Sequence, residues 1–551
     1  MSTFGRLIGS LVGKRRVATV SVDEARSIED ALAHGEPVAA RAHLARLDLP
    51  DSDPRRDRWL GMLAALEGRH DEALTRLTRA TGRAPHDAGL QVAAGMAARA
   101  AGQPLQAARF WSAARDLAPG SQGLQFNIAA ALADAKRHDE ALGAARRAVG
   151  EMPGDVRPLL LVGAILEAAG DPAAGDAWAD ARAIEPDNVD AWAGTGRVLR
   201  DGGHFGAAAE AFAHAGPQLQ LDLALALFHA RRHGEALAQI EGLLAEQPGR
   251  EDAALVRANI LLASGELSRG WQAYESRLRI PGVIWPARGA IPWDGSRLEG
   301  TLLVDCEQGF GDCFLGARVL AAARARVTRL VLRCPATLVD LFAASGIADA
   351  VVVDGTGVDA QAHAFLLSLP ALADAGEPRR QSGYLRAPDS RVAAWKRRLA
   401  GDRPAIGLVW SGAHTASQNR YRSFDPFPLV ECLREDFMLH SLQIAGPGIP
   451  GCPPGVIDLA PELTDFAETA AALVALDGLV SAETSVAHLA GALGTRAVVP
   501  LPLTSDWRWE IAGEQNPWYS TLWTPRLRQP GDWAALWPET AQWLRAAPAP
   551  T

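Results

Sequence analysis

The sequence predicts an α + α/β protein, a solenoid of paired helices followed by two lobes of parallel sheet. Two observations carry this. A 34-residue step runs through the first third: Gly61 returns as Gly95, Gly68 as Gly102, Ala73 as Ala107 and Ala141, Ala80 as Ala114 and Ala148, and Pro85 as Pro119 and Pro153. Beyond residue 300, short apolar runs alternate with helical stretches, the pattern of parallel strands joined by crossover helices.

A step of this length, with small residues in each helix and a proline at the exit, describes antiparallel helix pairs. Small residues let two helices approach closely, and proline cannot continue the hydrogen-bond ladder. The step continues less regularly through Gly163, Gly170, Trp178 and Pro186, then Ala208 and Phe212, Ala236 and Pro248, and last Gly270 and Tyr274. Residues 23–51 read as a degenerate first unit, giving about eight pairs with the weakest at the ends. An alanine-rich bundle with accidental spacing is the alternative, but several kinds of position repeat in one phase. The array is placed at 21–280.

The chain is 551 residues long and 48% hydrophobic, enough for several cores. Its formal charge of −9 gives no electrostatic case for nucleic acid. No apolar run approaches the roughly 20 residues of a membrane helix. Five cysteines without a CxxC pair fit reduced thiols, and the expected location is cytoplasmic. Residues 1–20 read as a flexible or amphipathic leader. Phe4, Leu7, Ile8, Leu11 and Val12 fall at helical spacing, but Lys14, Arg15 and Arg16 follow them, the wrong order for a secretory signal.

Residues 281–300, with Trp285-Pro286 and Pro292-Trp293, lack a helical period and read as a linker. The strands expected beyond it are 301–306, 329–334, 350–353, 405–410, 437–443, 478–481 and 497–501, with helices such as 312–325 and 485–493 between them. The lobes are placed at 301–390 and 400–545, and the cleft between them is the expected ligand site.

Three motifs stand at strand ends. Glu307-Gln308-Gly309-Phe310-Gly311-Asp312 enters a helix whose glycines let backbone approach a ligand. Phe314 stands where a dinucleotide fingerprint needs its third glycine, so a dinucleotide site is disfavoured. Asp312 alone would suit a helix cap. Glu483-Thr484-Ser485, with His488 one turn on, opens a second helix whose hydroxyls and N–H groups suit phosphate. Trp410-Ser411-Gly412, followed by Arg420 and Arg422, adds guanidinium groups for phosphate or carboxylate. No metal site is expected: Asp51 and Asp53 suit loop capping, and His229 and His233 suit an exposed repeat face.

The repeats resemble tetratricopeptide repeats, which hold peptides or protein partners. Residues from about Trp271 to Trp543 resemble the heptosyltransferase-like glycosyltransferases of the two-lobed GT-B architecture, closest to members fused to tetratricopeptide repeats. The matching stretches include Gly270 to Glu275, Trp293-Asp294-Gly295, Glu307 to Asp312, Trp410-Ser411-Gly412, Arg422-Ser423, His488 to Gly494, Asp506 to Trp509 and Pro517-Trp518-Tyr519.

The resemblance implies an inverting, metal-independent enzyme with a nucleotide-activated sugar as substrate and no cofactor. It implies Asp312 as the base, and Thr484, Ser485 and His488 at the donor phosphates. Two positions depart from the family: Arg420 and Arg422 replace a lysine of the phosphate loop, and Glu483 replaces an aspartate common in repeat-fused relatives. Proteins of this build include flagellin glycosyltransferases, which implies a flagellin acceptor and a CMP-activated nonulosonic acid such as pseudaminic acid. The alternatives are a lipid-linked or polysaccharide acceptor, and a non-catalytic scaffold or export chaperone.

Overall fold

A computed structural model describes residues 20–47, 53–280, 291–373, 381–412, 419–510 and 516–546. The leader at 1–19, Asp51 and the linker segment 281–290 lie outside the described residues, as does the side chain of Arg420. The chain forms two compact units, Met1–Val198 and Leu199–Thr551. The division falls inside the helix Val189–Asp201, within the stretch read as one repeat array.

In the first unit, helices such as His70–Arg83, Ala88–Ala100, Pro104–Leu117 and Leu124–Asp134 pack in consecutive antiparallel pairs. The recurring residues have physical causes. A Cβ on Gly95 would lie 2.4 Å from the Trp111 ring, and one on Gly61 2.8 Å from Leu77, so glycine sets the distance between paired helices. Gly102 closes its helix at φ +69°; one step later Lys136 adopts φ +58° in the same turn. The helices entering Pro85, Pro119 and Pro153 end at Arg83, Leu117 and Glu151, two residues before each proline. Asp53 caps Pro54–Leu66 by accepting from the Arg55 N–H at 2.9 Å.

The second unit begins with the remaining repeat helices, ending in Glu251–Ala263 and Leu267–Tyr274. Two sheets follow. The first contains β1 (Ile291–Pro292), β2 (Leu298–Asp305), β3 (Val327–Cys334), β4 (Ala350–Val353) and β5 (Ala362–Phe365), in the order β1-β5-β2-β3-β4. The second contains β6 (Ala405–Val409), β7 (Met438–Ser441), β8 (Ile457–Asp458), β9 (Gly478–Ser481), β10 (Ala497–Val498) and β11 (Leu522–Trp523), in the order β11-β10-β9-β6-β7-β8. Every pairing is parallel. One hydrophobic core joins repeat helices to both sheets, from Phe212 and Trp271 through Leu302 and Val304 to Leu479 and Leu522.

Three expectations are corrected here. β1 and the start of β2 lie within the stretch read as linker, because the peptide groups of 291 and 292 pair with β5 despite Pro292. The expected helix 312–325 starts earlier and is two pieces, Phe310–Ala317 and Leu320–Arg324. His229 and His233 are half-buried rather than exposed, and His229 Nδ1 lies 2.8 Å from Thr504 Oγ1.

Candidate functional site

In each sheet the strand order reverses at one place, and open parallel sheets bind ligands beyond the strand ends at such a reversal. The first sheet reverses at β2, between β5 and β3, and β2 runs into Glu307–Asp312. The second reverses at β6, between β9 and β7. β6 runs into Trp410–Gly412, and β9 into Glu483–Ser485. These loops line one cleft of about 670 Å³. Strand topology therefore places together motifs that lie up to 180 residues apart.

Asp312 sits in the first turn of Phe310–Ala317. One carboxylate oxygen accepts from the Gly309 N–H at 3.1 Å, so the cap reading holds; the other pairs with Arg508. A carboxylate offers about four acceptor sites, and its side chain remains 15% exposed to the cleft. Arg508 also binds Asp506 at 2.5 Å and lies 4.3 Å from the Trp507 ring centre. Burial acts to lower the Arg508 pKa, but Asp312 and Asp506 outweigh it and hold the guanidinium well above its ordinary value.

Glu307 turns away from the cleft. It is buried, bonded to Arg277 at 2.8 Å, and accepts from the N–H groups of Leu366 at 3.0 Å and Leu367 at 3.1 Å. It thus locks the end of the repeat helices to β5. Burial pushes its carboxyl up to about 7 against the pull of Arg277. Gln308 adopts φ +65°, unusual for a residue with a Cβ, and accepts from the Tyr274 hydroxyl at 3.1 Å. Gly309 and Gly311 line the cleft. A Cβ on Gly311 would lie 2.8 Å from His488 Cδ2, so this glycine lets the two helix starts meet.

On the second sheet, the N–H groups of Trp410 and Ser411 donate to Gln443 Oε1 at 3.0 and 2.8 Å. The Trp410 ring is buried in the core, whereas Ser411 and Gly412 line the cleft. Asn419 Oδ1 accepts from the Gly412 N–H at 3.0 Å and lies 3.4 Å from Arg422 Nε. Arg422 faces the cleft 4.0 Å from Glu483. Glu483 is buried; burial and the Asp506 charge push its carboxyl up to about 8. The Thr484 hydroxyl pairs with Ser481 Oγ at 3.0 Å, and no side chain caps helix Ser485–Leu493, so its first N–H groups face the cleft with a positive helix end.

His488 Nδ1 lies 2.9 Å from Tyr519 Oη, and its ring centre is 4.6 Å from that of Trp509. Burial first, then Arg508 and Arg422, lower its pKa to about 3. It is neutral near pH 7 and carries no charge for a phosphate. Sequence reasoning missed Arg508, Asp506, Gln443 and Tyr519 as site residues; the signal was two charges set among the aromatics Trp507, Trp509, Trp518 and Tyr519. A recess of about 270 Å³, lined by Arg200, Phe205, His229 and Tyr421, shares Arg422 and Glu483 with the cleft.

The described fold is a solenoid of paired helices followed by two parallel sheets with their crossover helices. Residues 92–156 match the tetratricopeptide repeat family. The chain is similar to Protein FlbA of Caulobacter vibrioides (strain ATCC 19089 / CIP 103742 / CB 15), 29% identical over 357 residues. That match spans 56% of this chain and 58% of the relative's length. Among solved structures, a tetratricopeptide repeat protein from Parabacteroides merdae ATCC 43184 is 16% identical, covering 41% of this chain and 93% of its own, with TM-score 0.34. MamA from Desulfovibrio magneticus RS-1 is 20% identical, covering 29% and 92%, with TM-score 0.28. No helix among the described residues is long and apolar enough to cross a membrane.

Proposed function

We propose that the chain is a protein O-glycosyltransferase of the two-lobed GT-B kind, transferring a sugar from a nucleotide-activated donor to a serine or threonine of a protein held by the repeats. The observation that carries this is the cleft at both strand-order reversals, with a carboxylate on one side and a positive helix start and two guanidinium groups on the other. The acceptor hydroxyl is a poor nucleophile near neutral pH; Asp312 takes its proton as the oxygen attacks the anomeric carbon with inversion. The bond to the donor phosphate breaks, and the N–H groups and hydroxyl at Thr484–Ser485, together with Arg422, bind the departing phosphate charge. Arg508 holds the Asp312 carboxylate in place.

The repeats supply the case for a protein acceptor, and the recess shared with the cleft lies beside repeat residues Arg200 and Phe205. The likeness of this build to flagellin glycosyltransferases selects flagellin in the cytoplasm as acceptor and a CMP-activated nonulosonic acid as donor, whose carboxylate suits Arg422. The test is Asp312→Ala: transfer is abolished while the acceptor still binds. Unchanged glycosylation by this variant would remove Asp312 from the mechanism.

A further inference from the structure

Asp312 is held at two points, and the last repeat helix reaches the residues that hold it. One support is the Gly309 N–H, 3.1 Å from the carboxylate; the other is Arg508. Helix Leu267–Tyr274 ends in Tyr274, which is buried. Its hydroxyl donates to Gln308 Oε1 at 3.1 Å. Gln308 precedes Gly309 and holds φ +65°, a backbone that a residue with a Cβ keeps only where its surroundings fix it. The Tyr274 oxygen also stands 3.5 Å from Arg508 Nη2, at the long end of a hydrogen bond. That nitrogen has two hydrogens; one goes to Asp312 Oδ1 and the other to Tyr274.

The ring adds packing to these bonds. Tyr274 meets Trp507 edge-on with centres 5.8 Å apart, and the Arg508 guanidinium lies 4.3 Å from the Trp507 ring centre. Arg277, three residues on, lies 5.1 Å from the Tyr274 ring centre and binds Glu307, the residue before Gln308.

We infer that Tyr274 is a positioning residue for Asp312: this tyrosine of the repeat array sets the Gln308 backbone and the Arg508 guanidinium, and through them the angle at which the carboxylate faces the cleft.

Asp312, Gly309 and Arg508 line the cleft, whereas Tyr274 and Gln308 stand behind it, so Tyr274 acts through its neighbours. Burial raises its phenol above the ordinary value, which keeps the proton it donates to Gln308. Without the hydroxyl, Gln308 Oε1 loses its donor and Arg508 Nη2 loses its second acceptor, and both supports of Asp312 loosen together. The two sheets therefore do not hold a complete site by themselves; the last repeat helix completes it. The link between Tyr274 and Asp312 follows from the contacts, and only its consequence for sugar transfer rests on the function proposed above.

The test uses the full chain with Tyr274→Phe, which keeps the ring and removes the hydroxyl. With CMP-activated pseudaminic acid as donor and unglycosylated flagellin as acceptor, kcat is expected to fall roughly ten- to hundredfold while the KM for the donor stays within about twofold. Calorimetry supplies a readout that needs no transfer. Because Tyr274 and Asp312 share one network, the double variant Tyr274→Phe with Asp312→Asn is expected to melt no lower than the less stable single variant. Gln308→Asn keeps the left-handed backbone but is too short to reach the tyrosine, and it takes the place of Tyr274→Phe in both measurements if that protein fails to fold. Wild-type kcat in the folded variant, a raised KM at unchanged kcat, or melting losses that add in the double variant would each overturn the inference. A wild-type chain that transfers no sugar defeats the proposed function instead, and the melting comparison still decides the link.

Discussion

Gly311→Ala tests whether the two helix starts meet as closely as described. The added methyl would lie 2.8 Å from His488 Cδ2, closer than carbon atoms approach, and the ring has little room to retreat. It is 5% exposed, bonded to Tyr519 at 2.9 Å and packed on Trp509. Overfilling a packed site costs roughly 1–3 kcal/mol. Replacing glycine in a helix returns up to about 1 kcal/mol, and less in the first turn. The net loss is about 1–2 kcal/mol. With unfolding entropy near 2 cal/mol/K per residue over Leu199–Thr551, the expected fall in Tm is roughly 1–3 °C by calorimetry. Gly309→Ala is the control two residues away: its φ is −82°, and the methyl would meet only Asp312 Oδ2 at 3.4 Å. Gly311→Ala at least as stable as the wild type, or Gly309→Ala the more damaging of the two, would refute the packing described for this helix start.

Two further outcomes follow from the buried carboxyls. Glu307→Ala leaves the buried Arg277 guanidinium with Glu275 as its remaining carboxylate and strands the N–H groups of Leu366 and Leu367 in the interior, and chemical denaturation is expected to show a loss of about 2–5 kcal/mol; a loss under about 1 kcal/mol contradicts the pairing. Glu483 has a folded pKa of about 8 against an ordinary 4.5, so the folded state holds its proton more tightly. Its contribution is therefore full below the unfolded value and lost as pH rises toward 8, by at most about 5 kcal/mol. Glu483→Gln keeps the neutral shape, so it should match the wild type near pH 5 and exceed it in stability near pH 8; parallel pH profiles for the two proteins count against a protonated Glu483.

What the sequence made legible was what local physics controls. The 34-residue step is visible because a close helix approach demands glycine at Gly61 and Gly95, and the turn recurs even where Lys136 replaces glycine. β4 and β9 are bounded in the sequence as they are in the fold, being apolar runs ended by turns. β5, Ala-His-Ala-Phe, has too little β-branched character to be seen, and its identity comes from pairing with β2. In the site, Asp312, Gly412 and Ser485 were legible because small and polar residues crowd the strand ends. The orientation of Glu307 was not, since Arg277, 30 residues upstream, turns it inward. Arg508 was hidden for the same reason: its partner Asp312 is 196 residues away, and it stands among many arginines.

The most direct test of the central claim is the intact mass of the cell's flagellins with and without this gene. Protein O-glycosylation by this chain predicts that regular sugar-sized increments disappear from the flagellins when the gene is removed and return with the wild type but not with Asp312→Ala. Flagellin masses that are the same in all of these cells would contradict it.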